Sequence, residues 1–226
     1  MQRIAVVLFV ALLVSTPAHS IGSMTALMNI QEECAQVGDI SFGENRRWAD
    51  CQVTRGRWVA TIDIIDMYQA QYCLGSNQGI CDQRALLLFG NRAYTPAAQL
   101  LIQRIDPSNI EYDDPLVVKN DYGRILTVSA RLPDGEKSGS YYLWKTGQWV
   151  PIEAQSWFKE LAKKLPSGVL AKHGSLPDVD TMSAKVNLHR KGDAGCCSSA
   201  GIANVELGLT KNRFTLKTFS INKTVE

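Results

Sequence analysis

Residues 203–219, ANVELGLTKNRFTLKTF, contain two strand-like segments on either side of a short polar turn. In the first segment, Val205, Leu207 and Leu209 alternate with polar or small residues, which is typical of a strand that buries one face. Lys211-Asn212 supplies the polar residues expected at the turn. This stretch therefore predicts an antiparallel β-hairpin near the end of the chain.

The same pattern recurs through the second half of the sequence. It predicts further hairpins over residues 115–130 and 141–152, and one more strand over residues 182–188. Residues 155–165 predict a helix, because their large apolar side chains recur at helical spacing and Pro166 follows directly.

The first half of the chain has a less regular pattern. Residues 58–73 fit both strand alternation and a helical stripe, and we interpret them as a strand that leads into a helix. Pro96 is compatible with the first turn of a short helix over residues 97–105. The predicted fold class is β-rich α+β: antiparallel hairpins in a sandwich-like or partial-barrel arrangement, with one or two short helices and disulfide stabilisation.

The N-terminus has the features of an export signal. Arg3 provides a positive charge, residues 4–14 are eleven consecutive apolar residues, and Ala18-His19-Ser20 is a small-x-small cleavage motif. Eleven helical residues span only about half of a ~30 Å hydrocarbon core, so a membrane anchor is disfavoured. We predict that residues 1–20 are removed and that the mature chain is secreted or periplasmic, with no membrane span.

Cysteine usage supports an oxidising compartment. All six cysteines follow the predicted signal: Cys34, Cys51, Cys73, Cys81, Cys196 and Cys197. An even number behind an export signal indicates disulfides, although six cysteines allow fifteen pairings. Short spacing favours Cys34–Cys51 and Cys73–Cys81. The last two, which are adjacent in sequence, then pair with each other, exchange partners or form a strained redox-active bridge.

Charge divides the chain into two predicted lobes. Residues 21–118 contain seven Arg and twelve acidic residues, a net charge of −5, whereas residues 119–226 contain sixteen basic and ten acidic residues, a net charge of +6. We predict an acidic, Cys-containing lobe over residues 21–115 and a basic β-hairpin lobe over residues 116–226, which can pack as one compact domain. The overall charge of +2 disfavours nucleic acid as a partner.

Motifs for catalysis or metal binding are missing from the sequence. It contains neither G-x-S-x-G nor the glycine-rich phosphate-binding patterns. The acidic stretches 113–114 and 178–180 lack calcium-loop spacing, and their aspartates are explained by turn formation. Glu153 and Glu160 resemble a glycosidase pair only in the sense that any two carboxylates do. We therefore predict no cofactor and no metal site.

Arginine and aromatic residues give the clearest indication of a recognition surface, because both are enriched where proteins bind partners. The candidate binding residues are Arg46, Arg47, Trp48, Arg55, Arg57, Trp58, Tyr141 and Trp149. The alternatives are that the aromatic side chains fill a core and that the arginines lie on a solvated loop. The core interpretation is preferred for Trp144, Trp157 and Phe158.

Two functions are compatible with these features. The first is an exported soluble binding or accessory protein, inhibitor-like or immunity-like, that recognises a protein or glycan partner outside the cytoplasm. The second is an exported hydrolase with an unrecognised carboxylate site. Convergent carboxylates or histidines in a deep pocket would favour the enzyme, and a shallow face with aromatic or arginine side chains would favour binding.

Overall fold

The computed structural model describes residue 34 and residues 51–75, 81–92, 98–171, 176–193 and 199–222. This part of the chain forms three β-sheets, whose strand pairs are antiparallel, and one α-helix. The predicted β-rich antiparallel architecture is therefore confirmed. The predicted signal, residues 1–20, lies outside the described residues.

The N-terminal sheet consists of four consecutive strands in the order β1-β2-β3-β4. Their bounds are β1 Cys51–Ile62, β2 Ile65–Leu74, β3 Gln83–Arg92 and β4 Ala98–Pro107. The helices predicted in the second part of residues 58–73 and over residues 97–105 are both wrong. The inner strand β2 is covered on both faces and so lacks the alternation that would have revealed it. The segment that follows Pro96 forms strand β4 rather than a helix, because its backbone pairs with the buried strand β3.

The middle sheet is built on β7. Its strands are β5 Glu111–Tyr112, β6 Leu116–Asn120, β7 Gly123–Arg131, β8 Lys137–Lys145 and β9 Gln148–Ile152. β5 and β6 both pair with β7, which is followed by β8 and β9. The predicted hairpins at residues 115–130 and 141–152 are confirmed. The lobe boundary predicted at residue 115 falls between β5 and β6, so the two segments share this sheet.

The C-terminal sheet contains the hairpin over residues 203–219. It consists of β10 Val169–Ala171, β11 Ser183–Arg190, β12 Gly201–Thr210 and β13 Arg213–Asn222, in that order. The predicted helix is also present as α1, Ser156–Lys164, between the middle and C-terminal sheets in the chain. Both predictions are confirmed.

The middle sheet lies between the other two and contributes to two hydrophobic cores. Leu126 and Val128 of β7 pack into the first core, against the N-terminal sheet. Ile125, which points to the opposite face, packs into the second core with the C-terminal sheet and Trp157 of α1. A third cluster, which includes Phe89, lies on the outer face of the N-terminal sheet.

Two disulfides stabilise the N-terminal sheet. Cys34 is bonded to Cys51 at the start of β1, with Cα atoms 6.1 Å apart, and Cys73 of β2 is bonded to Cys81, with Cα atoms 5.2 Å apart. Both predicted pairings are confirmed, and they indicate an oxidising, non-cytoplasmic compartment. Cys196 and Cys197 lie outside the described residues. Over the described ranges, we find no helix with the length and apolarity needed to cross a bilayer.

Candidate functional site

β1 is the outermost strand of the N-terminal sheet and carries three of the predicted binding residues. Among the described residues it pairs with β2 alone. Register shifts at Val53/Arg55 and at Trp58/Ala60 interrupt this pairing. Such bulges twist an edge strand and disfavour the addition of a further strand. A partner at this edge would therefore be contacted mainly through side chains.

Arg55 and Arg57 lie on one face of β1, and both bind the same carboxylate. Arg55 Nη1 is 3.0 Å from Asp114 Oδ1, and Arg57 Nη2 is 2.5 Å from Asp114 Oδ2. Asp114 lies between β5 and β6, so these ion pairs connect the N-terminal and middle sheets. About half of each arginine side chain remains exposed. One carboxylate faces two guanidinium groups, which leaves a net positive charge at this position.

The buried side-chain amides of Gln69 and Gln71, here called the buried amide row, extend the Asp114 interactions into the protein. Gln69 Nε2 donates to Asp114 Oδ1 at 2.7 Å, and Gln71 Nε2 donates to Gln69 Oε1 at 3.1 Å. Gln69 is 0% exposed, so its side-chain amide depends on these partners rather than on water. The sequence analysis did not identify this row. Two glutamines at alternate positions of an apolar strand were the available signal.

The protonation state of Asp114 follows from the same contacts. Partial burial raises its pKa, but the hydrogen bonds from Gln69 and Arg55 and the charges of Arg55 and Arg57 outweigh this effect. The pKa of Asp114 is consequently below its ordinary value, and the carboxylate is ionised at neutral pH.

Trp58 lies on the opposite face of β1 from the arginines. It pairs with Tyr68 across the strands, next to the pair formed by Arg57 and Gln69, and neighbouring residues of a strand point to opposite faces. Its side chain is 55% exposed, and Ile64 in the following turn is 62% exposed. The strand therefore presents a large indole and two arginines within four residues.

The other predicted binding residues are not on this surface. Tyr141 is 2% exposed, its hydroxyl donates to Pro177 O at 3.2 Å, and its ring packs edge-on against Phe214. Trp149 is half-buried and packs against Trp144, with ring centroids 5.1 Å apart. Both residues thus contribute to packing. Arg46, Arg47 and Trp48 lie outside the described residues.

The hairpin formed by β8 and β9, which carries Trp144 and Trp149, nevertheless contacts the end of β1. Trp144 Nε1 donates to Asp63 Oδ2 at 3.1 Å, and Arg124 Nη1 is 2.8 Å from Asp63 Oδ1. Asp63 is in the turn between β1 and β2. Its hydrogen bonds with Trp144 and then Arg124 lower its pKa. β1 is therefore connected to the middle sheet at two positions, near its middle and at its end.

The carboxylates considered as a glycosidase pair have structural partners. Glu153 accepts hydrogen bonds from the backbone N–H groups of Gln155 and Ser156, at 2.8 and 3.1 Å, at the start of α1. Glu160 Oε2 accepts from the backbone N–H of Leu216 in β13 at 3.0 Å. Within the described ranges, no three His, Cys, Asp or Glu side chains are grouped to hold a metal ion.

Comparison with known proteins gives no match to a protein-family model, to a curated protein or to a solved structure.

Proposed function

We propose that this chain is an exported binding or accessory protein, inhibitor-like or immunity-like, and that its partner contacts the exposed side chains of β1. The partner is a protein or a glycan outside the cytoplasm. The observation that supports the proposal is the edge strand β1, on which Trp58 is 55% exposed on one face and Arg55 and Arg57 are about half exposed on the other. Tryptophan and arginine are the residues most enriched among those that dominate binding energy.

Rigidity makes these side chains suitable for recognition. β1 is tied to β2 by pairing and to residue 34 by a disulfide, while Asp114 restrains both arginines. A restrained surface loses less conformational entropy when a partner binds. Its excess positive charge favours a partner with a negatively charged patch, since complementary charge accelerates association.

The compartment belongs to the same proposal. Two disulfides require an oxidising environment, and the first twenty residues have the order of a secretory signal. We propose secretion or release into the periplasm after cleavage near Ser20. Mass spectrometry of the exported protein should give a mature N-terminus near Ile21, and an intact Met1 in a membrane fraction would contradict the proposal.

The experiment is affinity capture from the native envelope or secretion fraction, followed by titration of the identified partner. Trp58→Ala should weaken binding by more than about 1 kcal/mol, roughly fivefold in Kd. Its melting temperature should change little, because the indole is half exposed. Leu170→Ala is the matched control: Leu170 is 57% exposed, but on β10 of the C-terminal sheet. Equal affinities of the wild type, Trp58→Ala and Leu170→Ala for the partner would place the binding surface elsewhere.

A further inference from the structure

A cleft of about 380 Å³ lies where the turn between β6 and β7 meets the C-terminal sheet. Its walls are the turn between β6 and β7, the turn over residues 178–182, and the adjoining parts of β12 and β13. Its volume lies within the roughly 300–1,000 Å³ of small-molecule sites. The charged and aromatic side chains of its lining are Lys119, Asp121, Tyr122, Asp180, Glu206 and Lys217.

Hydrogen bonds hold the walls of this cleft in place. Asn120 Nδ2 donates to Val179 O at 2.7 Å, and this bond connects the two turns. Asn120 Oδ1 accepts from the backbone N–H of Tyr122 at 2.9 Å. Leu207 of β12 donates its N–H to Met182 O at 2.8 Å. The cleft is therefore formed by connected backbone rather than by freely moving side chains.

Lys217 contacts two other residues of the cleft lining. Its Nζ lies 5.7 Å from the centroid of the Tyr122 ring and 3.4 Å from Glu206 Oε1. The hydrogen bond with Tyr122 and then that with Glu206 raise the pKa of Lys217, so the ammonium group stays charged. A cation, a carboxylate and an aromatic ring thus lie next to one another in the lining.

The mixture of charges in the lining selects among classes of ligand. Three carboxylates disfavour a phosphate or a polyanion, and two ammonium groups disfavour a polycation. An apolar ligand would leave these charged groups desolvated without partners. A hydroxyl group can donate to a carboxylate and accept from an ammonium group, so a molecule with several hydroxyls fits this lining.

The concave surface continues beyond the cleft. A second cavity of about 310 Å³ shares Glu206 with it and extends over the outer face of the C-terminal sheet. Its lining combines the polar side chains of Lys185, Asn204 and Ser220 with the apolar side chain of Phe219. The two cavities together provide room for more than one sugar unit along β12.

We propose that these adjoining cavities bind a neutral saccharide chain, with Glu206 at their junction. The site goes beyond the function proposed for β1, because it uses other residues on another sheet. The two proposals can therefore fail independently.

The test is isothermal titration calorimetry of the purified protein with three neutral hexasaccharides: maltohexaose, cellohexaose and the hexamer of N-acetylglucosamine. At least one should bind with a Kd of about 1 mM or tighter. Amide NMR shifts should change at residues 119–122 and 180–182. Hexagalacturonate and spermidine, which test the polyanion and polycation classes, should bind more weakly.

Two substitutions locate the site. Glu206→Ala and Asp180→Ala should each weaken saccharide binding at least about tenfold, as expected when a hydrogen bond to a charged group is lost. Both side chains are exposed, so the melting temperature should be preserved. Glu111→Ala removes an exposed carboxylate outside both cavities, and Trp58→Ala changes the β1 surface; both should retain binding. Failure of all three neutral sugars to bind, stronger binding of either charged ligand, or unchanged affinity in both cleft variants would overturn the proposal.

Discussion

Replacement of Asp114 by alanine should destabilise the protein far more than replacement of its neighbour Asp113. Asp114 accepts hydrogen bonds from Gln69 and Arg55 and forms ion pairs with Arg55 and Arg57. Asp113 forms one exposed ion pair, with Lys137 at 3.4 Å. The two aspartates are adjacent in the chain, so they form a matched pair of positions.

The expected magnitude follows from the burial of the partners. Removal of the carboxylate leaves the Gln69 amide, which is 0% exposed, without its acceptor, at a cost of about 1–3 kcal/mol. The two half-exposed ion pairs add about 0.2–1 kcal/mol each. Asp114→Ala should therefore lower the free energy of unfolding by about 1.5–5 kcal/mol, and Asp113→Ala by about 0.5 kcal/mol. Asp114→Asn keeps an oxygen for Gln69 and should cost about 1 kcal/mol.

Urea unfolding monitored by fluorescence measures these differences, provided that the m-values agree between variants. The pH dependence provides a second measurement. The pKa of Asp114 is lowered in the folded state, so its stabilisation is present above its unfolded pKa of about 4 and is lost as the pH falls through the folded value. The stability difference between wild type and Asp114→Asn should shrink below about pH 4. Equal stabilities of the Asp114→Ala and Asp113→Ala variants would refute this account of the buried amide row.

Three further perturbations test the fold. Glu153→Ala removes the acceptor of two backbone N–H groups at the start of α1 and should lower the free energy of unfolding in urea by about 1 kcal/mol. An unchanged free energy of unfolding would show that Glu153 does not cap the helix. Gly90→Ala places a Cβ 2.8 Å from Leu101 Cδ1 and should lower the free energy of unfolding by about 1–3 kcal/mol through overpacking. An unchanged melting temperature would show that the neighbouring side chains relax instead. Loss of the Cys34–Cys51 bridge, which spans 17 positions, should cost about 3 kcal/mol, and an unchanged midpoint in a double serine variant would contradict the entropic estimate.

Strands with one buried face were the elements that the sequence could predict. In β12, Val205 and Leu207 are buried while Glu206 is exposed, so the period of two is visible in the sequence. β2 differs because both of its faces are covered. Residues 70–74 are all buried, although both apolar and polar residues are among them. The same segment was therefore open to a helical interpretation.

The candidate site was predictable only in part. Exposure of Trp58 was not deducible, because tryptophan in a strand is equally compatible with a core position. The interaction of Gln69 with Asp114 joins residues 45 positions apart and depends on how two sheets pack. Local patterns carry no information on such contacts. They did lead to the prediction of Arg55 and Arg57 as binding residues, since a high density of arginine is visible without knowledge of the fold.

The alternating burial of β7 has a consequence for how the protein unfolds. Ile125 belongs to the core shared with the C-terminal sheet, while Leu126 and Val128 belong to the core shared with the N-terminal sheet. A one-residue slip of this strand would exchange its two faces and misplace side chains in both cores at once. Loss of packing against either outer sheet exposes one face of β7 and so weakens the middle sheet, on which the other core also depends. Amides of β7 should consequently exchange with solvent only through global unfolding, and the three layers should melt as one cooperative unit.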